Sequence, residues 1–206
     1  MVRIVQPSFE ILTPIDGNQV LKHIEKCGRT CYQSFQNISE DSAERFASHI
    51  LERHHESVVE HFNVSVRFIT DRGITHELVR HRLASYSQES TRYCCYAKNK
   101  FKNEISVIKP VELEEGSPAY TLWLEVMENA EKSYLQMIDL GIKAQNARSV
   151  LPNSLKTEIV MTANMREWRN VFKLRCSEAA HPDIRAIMIP LKEAFKKEIP
   201  ILFDDL

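Results

Sequence analysis

The chain has 206 residues, 43% of them hydrophobic, and Lys plus Arg (27) nearly balance Asp plus Glu (28). That is enough for a well-cored domain, and a net charge of -1 gives no general attraction to nucleic acid or an anionic membrane. The opening MVRIVQPSFE lacks an apolar stretch fit for a signal peptide, and no run elsewhere is long enough to span a bilayer, so a cytoplasmic protein is expected.

Val2, Ile4 and Val5 before Pro7 predict a short strand, and residues 14–17 a turn. Val20, Leu21, Ile24 and Cys27 share one face of the helix that follows, and residues 28–34 (GRTCYQS) read as an irregular polar connection. Ser39, Glu40 and Asp41 start a helix with Ala43, Phe46, Ala47, Ile50 and Leu51 as its stripe, ending near His54 and His55. Alternation at Phe62, Val64, Val66 and Phe68 is the period of a half-buried strand, and residues 71–73 turn into a short helix through Ile74 and Leu78 that delivers Arg80. KNKFKN (98–103) reads as a solvated basic loop, and residues 105–108 as a strand.

Ser117 and Pro118 open the longest helix. Its stripe of Leu122, Trp123, Val126, Met127, Ala130, Tyr134, Met137 and Ile138 reads as core or subunit contact, with Gly141 closing the helix. A shorter helix through Ala147 and Val150 ends at Leu151 and Pro152, and Thr157, Ile159 and Met161 suggest a strand. A helix from about Asn164 carries Trp168, Phe172 and Arg175, and Pro182 opens a last one with Pro190 as a kink. The fold class expected is α+β: a mixed, mainly antiparallel sheet packed with helices, one of them long. No repeat, low-complexity tract or linker interrupts residues 1–206, so a single domain is expected.

Residues 80–93, RHRLASYSQESTRY, are poor core material, because buried Arg must be paired and buried hydroxyls bonded. They suit a phosphorylated ligand, which guanidinium groups meet through paired charge-assisted bonds. Cations closing a helix would explain Arg80, His81 and Arg82 but not Ser85, Ser90 and Arg92. Arg80 and Arg82, two apart, point to different sides of a helix and could serve two ligands.

Other clusters carry less. His54, His55 and His61 diverge on a helix and have no Cys or Asp spaced for a zinc cage, and His76, Glu77 and His81 miss the HExxH spacing by one residue, so no metal site is expected. Cys27, Cys31, Cys94, Cys95 and Cys176 are odd in number and scattered, which fits reduced thiols.

Arg80, His81, Arg82, Ser85, Ser90 and Arg92 together resemble the RHRxxSxxxxSxR signature of the flavin-dependent thymidylate synthases. Three further stretches fit that resemblance: Ser57 with Glu60 and His61, Arg148 before Leu151 and Pro152, and Asn164 to Arg166 with Asn170 and Arg175. It implies reductive methylation of dUMP to dTMP, with methylenetetrahydrofolate as one-carbon donor and electrons from NADPH through FAD. It assigns Glu77, Leu78, Val79, Arg80, Gln88, Glu89, Ser90, Thr91, Arg92, Arg148 and Arg175 to dUMP. To FAD it assigns Ser57, Glu60, Arg80, His81, Arg82, Ser87, Gln88, Asn164, Met165, Arg166 and Asn170, and it places His55 at the folate entry. A homotetramer with sites built from several subunits is also implied.

No Pro in the chain is followed by Cys, the context of the nucleophile in the other route to this product, so no protein nucleophile is expected. Arg175 stays protonated, which makes its implied role electrostatic: stabilising negative charge on the uracil imide. Two departures stand out, Glu77 where relatives commonly carry Gln and Gln145 where an acidic residue is usual. A non-catalytic nucleotide-binding module would use the same Arg and Ser cradle without flavin or turnover.

Overall fold

The computed structural model describes residues 2–98 and 101–206; Met1, and Asn99 and Lys100 of the expected basic loop, lie outside the described residues. The first apolar residues form β1 (Arg3–Ile4), and the next strand is β2 (Ser8–Ile11). The alternating stretch becomes β3 (Asn63–Asp71), with Val64, Val66, Phe68 and Thr70 buried. Together with β4 (Ala84–Gln88) and β6 (Lys156–Asn164), these make a four-stranded antiparallel sheet in the order β2-β3-β6-β4. β1 pairs in parallel with β5 (Ser106–Val107), Arg3 opposite Ser106 and Ile4 opposite Val107.

Strand β4 was not expected, because its five residues, ASYSQ, carry no apolar alternation. At the edge of a sheet, backbone pairing suffices and the side chains stay polar.

The chain gathers into two compact units: Met1–Ser8, Phe68–Arg80 and Tyr86–Val160 form one, and Phe9–Arg67, His81–Ser85 and Met161–Leu206 the other. In the first, α3 (Arg72–Leu78) starts at Asp71, whose Oδ1 accepts the Ile74 N–H at 2.9 Å; the expected turn is absent, and the strand passes straight into the helix. The long helix α4 (Pro118–Asp139) is capped by Ser117, and α5 (Ala144–Ala147) is followed by a 3-10 turn, Arg148–Val150. Met127 and Tyr134 of α4 join Val2, Tyr96, Ile105, Val107 and Leu155 in this unit's core. Leu122 (63% exposed) and Val126 (57%) do not, so the predicted stripe is core along only part of its width. Phe101 also departs from the solvated-loop reading, since its ring packs edge-on to Tyr96 at 5.1 Å.

In the second unit, α1 (Gly17–Arg29) packs on α2 (Ser42–Glu52), and residues 28 and 29, expected in a loop, extend α1. A Cβ on Gly28 would meet the Phe46 ring at 2.5 Å, so only glycine allows this approach. Arg29 pairs at 2.6 Å with the buried Glu25. Helix α2 stops short of His54, which takes a left-handed φ of 55°. Helices α6 (Met165–Arg175), α7 (Pro182–Glu198) and the unexpected α8 (Pro200–Phe203) surround an aromatic cluster of Trp168, Phe172, Phe195 and Phe203, with centroids 5.2–5.8 Å apart. Trp168 Nε1–H donates to the Val64 carbonyl at 3.1 Å, which satisfies the ring's one polar atom.

Candidate active site

The first unit holds all the residues assigned to dUMP except Arg175. Arg80 N–H donates to the Glu77 carbonyl at 3.2 Å, closing the end of α3. Leu78 is fully buried and its carbonyl accepts Tyr86 Oη–H at 2.6 Å, so only its backbone could face a ligand. Gln88 Nε2 donates to Thr75 Oγ1 at 2.9 Å. The Glu89 carboxylate is drawn inward: Tyr96 Oη–H donates to it at 2.8 Å and Lys156 Nζ lies 3.4 Å away. Burial, reinforced by this carboxylate, pushes the Tyr96 phenol far above its ordinary range.

Beyond β4 the chain folds tightly around Ser90, whose carbonyl accepts the Cys94 N–H at 2.8 Å and whose Oγ accepts the Arg92 N–H at 3.3 Å. Arg148 Nη1–H reaches the buried Thr91 hydroxyl at 3.3 Å, and Arg92 Nε–H reaches Gln145 Oε1 at 3.4 Å. Arg148 and Thr91 line a cavity of about 280 Å³ with Arg72, His76, Gln145 and Asn153. Among the described residues its lining contains two guanidiniums, a histidine and no carboxylate. Arg72, which donates only at 3.4 Å to the Glu89 carbonyl and at 3.5 Å to Thr157 Oγ1, was missed in the sequence. A single Arg after an apolar strand carries no signal of its own.

The second unit holds a larger cavity, about 970 Å³, lined by His54, Glu60, Asn164, Arg166, Glu167 and Asn170 among others. Asn164 caps α6 through Oδ1, which accepts the Glu167 N–H at 2.8 Å. Arg166 Nη1–H donates to Glu60 at 2.7 Å. Met165 is fully buried and donates its N–H to the Phe62 carbonyl, so it can offer the cavity no side chain. Ser57, His55 and Arg82 are exposed. Ser87 and Gln88, assigned to FAD, belong to the first unit, as does Arg80.

His81 is buried, with Nδ1 3.1 Å from Glu167 Oε1 and Nε2 accepting Arg175 Nε–H at 3.0 Å. Burial first, and then the Arg175 charge, hold its pKa below the ordinary 6.5, against the opposing pull of Glu167. Glu167 was not singled out in the sequence. The Asn-x-x-Glu spacing announces a helix start, but its partner His81 lies 86 residues away.

A family model described as thymidylate synthase complementing protein matches residues 15–201. The chain belongs to this family. Among its relatives, the flavin-dependent thymidylate synthase of Pyrococcus furiosus is 35% identical over 82% of this chain and 69% of its own. That of Mycolicibacterium gilvum is 34% identical over 97% and 84%, and that of Geobacter sulfurreducens 33% over 86% and 78%. A solved UMP/dUMP methylase from Streptomyces cacaoi, bound with 5-Br UMP, has a TM-score of 0.78 over 98% of this chain and 95% of its own; at 19% identity it shows a shared fold. The matched span of the thymidylate synthase complementing protein family includes the lining of the smaller cavity and the His81, Glu167 and Arg175 network.

Proposed function

We propose that this chain is an FAD-dependent thymidylate synthase that methylates dUMP to dTMP, taking its one-carbon unit from methylenetetrahydrofolate and its electrons from NADPH. One observation carries the reading in a member of this family: Arg72, Arg148 and Thr91 line a cavity with no carboxylate among its described lining residues. Arg72 is half-buried, and a guanidinium held partly out of water without a counter-ion is costly; a phosphate monoester would remove that cost through charge-assisted bonds, which the exposed Arg148 could join. Ser90, Thr91, Arg92 and Arg148 would hold the phosphate, and the backbone of Glu77, Leu78, Val79 and Arg80 would line the nucleotide.

The 970 Å³ cavity lies within the range of cofactor sites, and its Arg, Asn and carboxylate lining fits a large hydrogen-bonding ligand such as FAD. Glu60, Asn164, Arg166 and Asn170 would hold it there. Electron transfer from NADPH is the chemistry the flavin supplies when bound. Arg175 would stabilise negative charge at the uracil imide; as a permanent cation it does not move protons. His55 would stand at the folate entry. We read residues 1–206 as one domain of a cytoplasmic homotetramer whose sites draw on several subunits.

The test is a visible spectrum of the purified protein followed by turnover. A yellow protein whose NADPH oxidation responds to dUMP, and which yields dTMP only with the folate donor, is expected. A protein that stays colourless after incubation with FAD would overturn the reading.

A further inference from the structure

Arginine nitrogens donate hydrogen bonds and never accept them. Arg175 Nε lies 3.0 Å from His81 Nε2, so that ring nitrogen presents a lone pair. A neutral imidazole has one N–H, which is then on Nδ1, 3.1 Å from Glu167 Oε1, an atom that only accepts when ionised. We propose that Glu167 is a positioning residue: it locks His81 as the Nδ1–H tautomer, and this tautomer offers Nε2 to Arg175 and fixes the guanidinium that polarises the uracil ring.

The opposite tautomer would set hydrogen against hydrogen at Arg175 and lone pair against lone pair at Glu167. Both contacts would be lost together. A protonated ring would likewise turn a donor toward Arg175. His81 (5% exposed) and Glu167 (6%) are too buried for water to repair such a mismatch. The carboxylate is itself held, since Asn170 Nδ2 lies 3.3 Å from each of its oxygens and its main-chain N–H is bound to Asn164. Glu167 stands in the first turn of α6 and Arg175 in the last, so the His81 ring links side chains that reach it from the two ends of the helix. The charges that shift His81 are those of Arg175 and Glu167, and both come from α6.

The catalytic part rests on the synthase reading; the tautomer part does not. The tautomer is read from 15N-histidine-labelled holoenzyme in long-range 1H–15N spectra at neutral pH, with His81 assigned by its absence in His81→Gln. The wild type should show Nδ1 protonated and Nε2 bare, and Glu167→Gln, whose amide can donate as well as accept, should populate Nε2–H. In that variant kcat should fall on the order of tenfold. Flavin content and the KM for dUMP should stay within about twofold. The acid limb of the pH profile should move to lower pH, because a carboxylate that favours the protonated ring is gone. A wild-type ring protonated at Nε2, or a Glu167→Gln enzyme with unchanged kcat and acid limb, would overturn the proposal. A colourless or inactive wild type would count against the synthase reading alone, since the tautomer is measured on the polypeptide itself.

Discussion

The two cavities treat charge in opposite ways. Around the smaller one, the partners of the Arg72 and Arg148 side chains among the described residues are neutral oxygens, at 3.3–3.5 Å. Around the larger one the chain supplies the counter-charges itself: Arg166 with Glu60 at 2.7 Å and Arg169 with Asp205 at 2.6 Å. Cations without an internal counter-charge suit an anionic ligand, whereas internally paired ones form a framework set before any ligand arrives. Ionic strength should therefore weaken dUMP capture more than flavin retention.

The largest effect expected is from Arg175→Ala, which should reduce turnover by about a hundredfold or more while the yellow colour stays, checked by steady-state rates and the visible spectrum. Full activity would remove Arg175 from the mechanism. Arg148→Ala should act on the other cavity, raising the KM for dUMP between about ten- and a hundredfold through loss of a charge-assisted bond, with a smaller change in kcat and a weaker salt dependence of kcat/KM. An unchanged KM would break the contrast between the cavities.

Acid should act through the framework. Because the folded pKa of His81 lies below 6.5, the unfolded chain binds the proton more readily, and this contribution to stability is full above pH 6.5 and declines as the pH falls from there toward the folded value. Thermal melts across that window should show the decline, and it should disappear in His81→Gln. The smallest effect is expected from Arg166→Ala, whose side chain is 51% exposed in a surface ion pair. Flavin affinity should drop only a few-fold, as measured by fluorescence titration.

How legible each region was follows from the range of its interactions. Ser117 and Asn164 could be read as helix starts because each bonds a backbone N–H three residues on. The stripe of α2 and the alternation of β3 were visible for the same reason: both are periodic in neighbouring residues. Strand β4 was not, since its place is set by pairing with β6 and not by an apolar face of its own.

The sequence alone thus determined the caps, the apolar periods and the run of Arg, Ser and Thr that suits a phosphate ligand, all properties of residues within a few positions of one another. Only the tertiary structure decided that Arg148 meets Thr91 across 57 positions, that Glu167 meets His81 across 86 and that Arg175 meets it across 94. Hydrogen-bond chemistry says what such groups will accept; which partner arrives depends on how the helices and strands between them pack, and no local pattern records that.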